Sequence, residues 1–305
     1  EISNFIELYD IGKLEDFYEI VEGIENTNYK IICNGIPYIL TIFEKRVNEE
    51  DLPFFINLKI YLNENNFKCP KPIANKDDKV INSIRGKKAI IISFIEGSKV
   101  ILSDKNNCYE VGRMVGNLHN ISKKFGLKRN NSLNIYELKK IFNKCLTKKS
   151  LELIEIFNEL QSEINNFEND LPVNLPSGII HADLFKDNIF FNNGKISGVI
   201  DFYFSCYDFF LYDISIIVND WCFLNNGKEF NKVFFQSIIE GYNLNRSLNS
   251  DEIMNFNIIL RLATVRILIT RLHDYIFHPN DAIVIKKDPF EYLNILKWHK
   301  TNSVI

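Results

Sequence analysis

Between residues 189 and 202 the chain can do little except fold back on itself. Two apolar runs, 189–191 and 196–200, flank Asn193-Gly194. Asn-Gly supplies the positive φ angles that a two-residue hairpin turn requires, so the spacing predicts a pair of strands. Polar residues stand at the outer ends, Asp183 and Asn188 before the first strand and Asp201 after the second. A hairpin brings such ends together. Three oxygen-bearing side chains suited to take a proton or hold a cation are therefore expected to converge. A zinc reading of His181-x-Asp183 finds no further His or Cys at ligand spacing nearby.

In order, the stretch reads His181-Ala182-Asp183-Leu184, three residues, Asn188, the hairpin, then Asp201-Phe202. This pattern resembles the catalytic segment of the protein-kinase-like superfamily. It is most similar to the aminoglycoside-phosphotransferase branch, whose members phosphorylate small-molecule alcohols. The resemblance implies that Asp183 accepts the proton of the attacking hydroxyl. It also implies that Asn188 and Asp201 hold Mg²⁺ against the phosphates of ATP. Phosphoryl transfer needs such groups because its catalysis is mostly positioning and charge neutralisation. Two departures stand out: Ala182 takes the place of an Arg found in many protein kinases, and Tyr203 that of the Gly in D-F-G.

Upstream, apolar runs at 17–21, 29–33 and 38–43 predict three strands, the last two joined at Asn34-Gly35. Residues 22–28 read as the turn between the first two. The resemblance sets this turn where the family's phosphate-covering loop falls, with Asn26 and Asn28 at the nucleotide. In the third strand the family usually carries a Lys or Arg for the α- and β-phosphates, and this chain has Leu40-Thr41. Lys45 shares the strand parity of Thr41 but lies roughly 13 Å further along, at about 3.3 Å per residue. Without a bulge it falls short, and the phosphate-holding group is unassigned.

Residues 49–63 read as a helix, with Glu49, Glu50 and Asp51 at its positive end and Pro53 in its first turn. Cys69–Pro72 breaks the chain, and 80–84 with 88–94 form another hairpin around Arg85-Gly86. Ser93-Phe94-Ile95-Glu96-Gly97 falls at the family's hinge. There, backbone groups of Ser93 and Ile95 would meet the adenine edge. Helical spacing follows at 107–123, 134–145 and 151–167, and again at 212–223, 230–242 and 251–277. His119, in the first of these, is expected to be structural. The fold class is α+β: a two-lobed protein-kinase-like fold, with a small antiparallel-sheet lobe over 1–95 and a mostly helical lobe over 96–305. ATP is expected between the lobes.

Composition narrows the partners. A hydrophobic content of 46% supports a packed core, and a net charge of −3 leaves no basic surplus for nucleic acid or an anionic membrane. No apolar run approaches the length of a membrane span, and no leader pattern opens the chain. Glu1 in place of Met points to a few residues missing from the start. The six cysteines show no C-x-x-C spacing and read as reduced core thiols of a cytoplasmic protein. Nothing in the sequence sets an oligomeric state.

Within the branch, the chain resembles the homoserine-kinase group over nearly its whole length. The residues that carry this are Val21–Asn28, Tyr38–Thr41 with Glu44-Lys45-Arg46, Asp51–Phe55, His181–Phe185, Asp201–Phe204, Asn219–Phe223 and Lys287–Tyr292. The resemblance implies ATP-dependent phosphorylation of the side-chain oxygen of L-homoserine, a step towards threonine. A kinase for choline, an aminoglycoside or another small amino alcohol would share the same motifs. A nucleotide-binding pseudokinase has only Thr41 in its favour. Homoserine is a zwitterion, so its pocket needs a cation and an anion. Arginine suits the carboxylate because its planar fork bonds both oxygens. Arg261, Arg266 and Arg271 are each five apart, about 140° round a helix, so at most two face one pocket. Arg266 is the first choice and Arg271 the second, with Asp220 for the ammonium.

Overall fold

Three two-residue turns form as their sequences predict. Asn34-Gly35 (φ 47° and 74°), Arg85-Gly86 (51° and 77°) and Asn193-Gly194 (50° and 71°) all hold positive φ at both positions, which matches the right-handed twist of the strands they join. The computed structural model describes residues 1–20, 26–44, 48–277 and 287–305.

In chain order the first elements are α1 (Ile2–Ile6), β1 (Leu14–Ile20), β2 (Asn26–Cys33), β3 (Ile36–Phe43), α2 (Leu52–Glu64), β4 (Pro72–Ile73), β5 (Asn82–Ile84), β6 (Lys87–Ser93) and β7 (Ser98–Lys99). Next come α3 (Lys105–Ser122), α4 (Ile135–Leu146), α5 (Ile154–Asp170), β8 (Ser177–Ile180), β9 (Ile189–Asn192), β10 (Lys195–Val199), β11 (Cys206–Phe209) and α6 (Phe210–Trp221). The chain ends with β12 (Phe223–Leu224), β13 (Glu229–Phe230), α7 (Lys232–Asn243), α8 (Ser250–Met254), α9 (Phe256–Phe277) and α10 (Pro289–Thr301). These elements fall into two units, neither of them continuous: 1–99 with 125–129 and 189–203, and 100–124 with 130–188 and 204–305.

The first unit is built on an antiparallel sheet in the order β1-β2-β3-β6-β4, with β5 also paired to β6. Strand alternation gives the sheet two apolar faces. Leu40, Ala89 and Ile91 look one way and join Phe5, Ile6 and Tyr9. Phe43, Ile90 and Ile92 look the other way and join Leu52 and Ile56 of α2. Each fully buried Leu or Ile contributes about 1.5–3 kcal/mol, so both faces hold the sheet between helices. A smaller sheet, β10-β9-β7, completes the unit.

The second unit is mostly helical. Its largest core gathers Leu138 and Phe142 of α4, Phe157 and Leu160 of α5, Val265 and Leu268 of α9, and Leu296 of α10. Helices α3 and α7 meet backbone to backbone. A Cβ on Gly112 would strike the Ile238 carbonyl, and one on Gly241 would strike the Tyr109 carbonyl. Only glycine permits that approach, which brings His119 of α3 to Tyr242 of α7.

Several sequence expectations change. Asn26, Thr27 and Asn28 are strand, part of β2 rather than a turn, because Asn28 pairs with Thr41 in the ladder. Residues 22–25 of that expected loop, and Lys45, lie outside the described residues. The helix expected over 251–277 is broken: Asn249 and Glu252 form a reciprocal capping box for α8, which stops at Asn255 before α9 begins. α10, entered through Asp288 and Pro289, and the β8–β11 pair were not expected at all.

Candidate active site

In the second unit, β8 and β11 pair antiparallel, Ile180 opposite Cys206, and so fix the start of the 181–188 loop. The loop is then clamped by α6. Asp213 is fully buried, and its carboxylate accepts the backbone N–H of His181 (2.8 Å) and of Ala182 (2.7 Å). Asp220 Oδ2 accepts the N–H of Lys186 at 2.8 Å, and Trp221 Nε1 donates to the Leu184 carbonyl at 3.4 Å. Asp213 and Asp220 are seven apart, so they stay within about 20° on one face of α6. Both ends of the loop are held from that single face.

Ala182 sits at φ 63°, a left-handed conformation that costs an alanine on the order of 1–2 kcal/mol. Asp213 on its N–H and Arg266 Nη1 on its carbonyl hold it there. The bend presents Asp183 between two partners. Asn188 Nδ2 donates to Asp183 Oδ2 at 3.0 Å and to the Asp183 carbonyl at 2.8 Å. Arg266 Nη2 meets Asp183 Oδ1 at 3.2 Å, and its guanidinium lies 5.2 Å from the Phe204 ring centre. Arg266 is 3% exposed, and its Nε is buried without a hydrogen-bond partner. The Asn188 amide oxygen is unused by the bonds to Asp183.

His119 is structural, as expected. Its Nδ1 lies 2.9 Å from the Tyr242 hydroxyl and its Nε2 3.2 Å from Asp213, and burial pushes its imidazolium down. The other acceptor-pocket candidates have partners of their own. Arg271 Nη1 bonds Glu291 at 2.5 Å and the Asp288 carbonyl at 3.0 Å. Arg261 Nη1 donates to both carboxylate oxygens of Glu163, at 2.7 and 3.0 Å. Asp220 serves as the Lys186 cap, and burial pushes its carboxyl up against the opposing pull of Lys186.

In the first unit, Asp201 follows β10 and takes φ 62°, a sparsely populated region for a non-glycine residue. Tyr203 turns its ring edge-on to Phe43 (5.4 Å) and Phe55 (5.5 Å). Thr41 Oγ1 donates to Asn28 Oδ1 at 2.8 Å, and Asn26 Oδ1 is buried with no partner. Ser93 is tied to Lys71 twice, accepting its N–H at 2.8 Å and donating to its carbonyl at 2.9 Å, so the Ser93 N–H is taken within the unit. Ile95 packs where a Cβ on Gly198 would stand and lines a cavity of about 430 Å³ with Lys68, Phe94, Glu96, Ile196 and Ser197. Asp51, at the start of α2, bonds Arg129 at 2.7 Å.

Two groups escaped the sequence reading. Asp213 carries no motif signal, since one acid inside an apolar helix has many uses. Lys59 is 3% exposed. It occupies the stripe Leu52, Phe55, Ile56, Lys59, at helical spacing i, i+3, i+4, i+7. A lysine on that buried stripe is the signal that could have found it. Among the described residues no cluster of three or more His, Cys, Asp or Glu side chains could hold a metal, and no helix is long and apolar enough to cross a membrane.

Comparison with known proteins gives concordant matches. Residues 16–242 match the phosphotransferase enzyme family (APH). The chain is 37% identical over 300 residues to a homoserine kinase of Sinorhizobium fredii, covering 98% of this chain and 92% of that protein. It is 38% identical over 301 residues to a homoserine kinase of Agrobacterium fabrum, covering 99% and 93%. Among solved structures it is similar in fold to an amicoumacin kinase in complex with AMP-PNP and Ca²⁺. There the TM-score is 0.74 at 18% identity, over 98% of this chain and 91% of that one.

Proposed function

The chain belongs to the phosphotransferase enzyme family, and from that premise we propose that it transfers the γ-phosphoryl group of ATP to the side-chain hydroxyl of L-homoserine. The observation that carries the reaction type is Asp183, held between Asn188 and Arg266 on a loop clamped by Asp213. Homoserine as acceptor is supported by 37% and 38% identity to homoserine kinases over nearly the whole chain. The product is O-phospho-L-homoserine, an intermediate of threonine synthesis, and the reaction belongs in the cytoplasm, where ATP is at hand.

Asp183 takes the proton of the acceptor hydroxyl as it attacks, the general-base role. Its carboxylate is oriented for this by Asn188 and by the Arg266 guanidinium. Asn188 and Asp201 are the proposed ligands of Mg²⁺. One carboxylate and one amide oxygen suit a hard cation that keeps several waters and shares phosphate oxygens. When bound, that ion supplies positive charge against the phosphates. The nucleotide contacts in this reading are Asn26, Asn28, Ile95 and Ser93, the last through its carbonyl since its N–H is held by Lys71. For a zwitterionic acceptor the proposed cation is Arg266, with Arg271 second, and the proposed anion is Asp220.

An ADP-release assay over L-homoserine, choline, ethanolamine and an aminoglycoside tests the acceptor. L-homoserine is expected to give the highest kcat/KM. A higher value for any of the others would overturn the assignment.

A further inference from the structure

The family position on β3 that usually carries a cation holds Thr41 here, and Thr41 is 2% exposed and bonded to Asn28. Strand alternation puts Thr41 on the same face of the sheet as Phe43, the face that packs against Leu52 and Ile56 of α2. Lys59 lies one further turn along that stripe of α2. Its Nζ sits 3.4 Å from the Tyr203 hydroxyl and 4.8 Å from the centre of the Tyr203 ring. Among the described residues no carboxylate comes within ion-pairing distance of this ammonium.

Burial of an unpaired ammonium is expensive, and a cation retained in such a place calls for a negative partner. Burial pushes the Lys59 ammonium down to about 8, opposed in part by Asp201; the Cys69 thiol beside it is itself pushed up to about 12 by burial and carries no charge. The carboxylate that acts on it is therefore Asp201, the proposed metal ligand. Resting on the kinase reading, in which Asp201 marks the phosphate end of the nucleotide, we propose that Lys59 supplies from α2 the phosphate-holding cation that β3 lacks at Thr41. The missing charge has moved from the sheet to the helix that covers the same face. The ligand it takes is the diphosphate of a nucleoside di- or triphosphate. Tyr203, in the place of the D-F-G glycine, supports the lysine with its hydroxyl and its ring.

The test is calorimetric binding of ADP in the presence of Mg²⁺, with no acceptor added. Lys59→Met should weaken ADP by roughly 10- to 100-fold, the worth of one charge-assisted contact to phosphate. Its melting temperature should hold or rise, because methionine removes the desolvation cost of a buried charge. The exchange variant Thr41→Lys with Lys59→Met should recover most of the lost affinity by restoring the cation from the strand. Should Lys59→Met not fold, Lys59→Gln carries the same comparison. ADP binding unchanged in the Met or Gln variant overturns the proposal. So does a loss that tracks a fall in melting temperature and is not recovered by the exchange. If the wild type turns over L-homoserine while ADP binding ignores Lys59, only this inference fails. If ADP binding depends on Lys59 but another alcohol is the acceptor, this inference stands and the acceptor assignment fails.

Discussion

Replacing Asp213 by Asn should cost the protein both stability and turnover. The carboxylate accepts the N–H groups of His181 and Ala182 and meets His119 Nε2, at 2.8, 2.7 and 3.2 Å. In asparagine one oxygen becomes a donor, so at least one buried donor faces another. A bond to a charged acceptor contributes about 1.5–3 kcal/mol and an orphaned buried donor costs about 1–3 kcal/mol, so the sum is about 2.5–6 kcal/mol. That is a large share of the roughly 5–15 kcal/mol by which a domain is stable. The second effect is on chemistry. Ala182 keeps its left-handed bend (φ 63°) while its N–H is held, and Asp183 is the next residue. Once the bend relaxes, a displacement of the base by about 1 Å lowers turnover on the order of 10²-fold. Urea unfolding and kcat at saturating ATP and acceptor are the two readouts, with KM for ATP little changed. A kcat equal to wild type, with or without lost stability, would show that the loop is held by something other than Asp213.

Other expectations follow from the same geometry. Asp183→Asn should keep ADP binding and lower kcat by roughly 10²- to 10⁴-fold; turnover near wild type would remove it as the base. Asp201→Ala should abolish activity more fully than Asn188→Ala because it also removes a charge, and turnover indifferent to a chelator would sink both metal assignments. Arg266→Lys and Asp220→Asn should raise KM for L-homoserine while KM for ATP holds; equal losses for both substrates, alongside lower stability, would make the two residues supports of the loop and nothing more. His299 is buried and bonded to Asn219 Oδ1 at 2.8 Å, and burial pushes its imidazolium down to about 3. The unfolded chain takes up that proton below pH 6.5 and the folded chain does not. Stability from this group is thus complete above pH 6.5 and falls by up to about 1.4 kcal/mol per unit as the pH drops towards 3. His299→Gln should flatten the decline in urea midpoint between pH 7 and 5, and an unchanged slope would count against this account.

What was legible in the sequence was local. Asn34-Gly35, Arg85-Gly86 and Asn193-Gly194 announce their turns because few residue pairs tolerate two positive φ angles. The pattern of Asp183, Asn188 and Asp201 stands out in the sequence because phosphoryl transfer would restrict both residue type and spacing, and the roles proposed for these residues rest on that pattern. Long-range pairing was not legible. Asn26–Asn28 reads as a turn by composition, yet the ladder with β3 draws it into a strand, a tertiary override of propensity. Residues 251–277 look like one helix by period, yet α8 ends at Asn255, whose side-chain amide bonds the Asp251 carbonyl, and α9 starts afresh at Phe256. The support of the 181–188 loop was hidden for the same reason. Asp213 acts on His181 and Ala182 from more than thirty positions away, and no pattern within a window of sequence links them.

The central claim, that this chain phosphorylates the side-chain oxygen of L-homoserine, is tested most directly by phosphorus NMR of the product formed from ATP, Mg²⁺ and L-homoserine. The expected spectrum shows a new phosphomonoester coupled to the two protons of the terminal methylene, growing in step with ADP and absent with Asp183→Asn. Release of ADP without that ester, or an ester that forms only when a different alcohol is supplied, would contradict it.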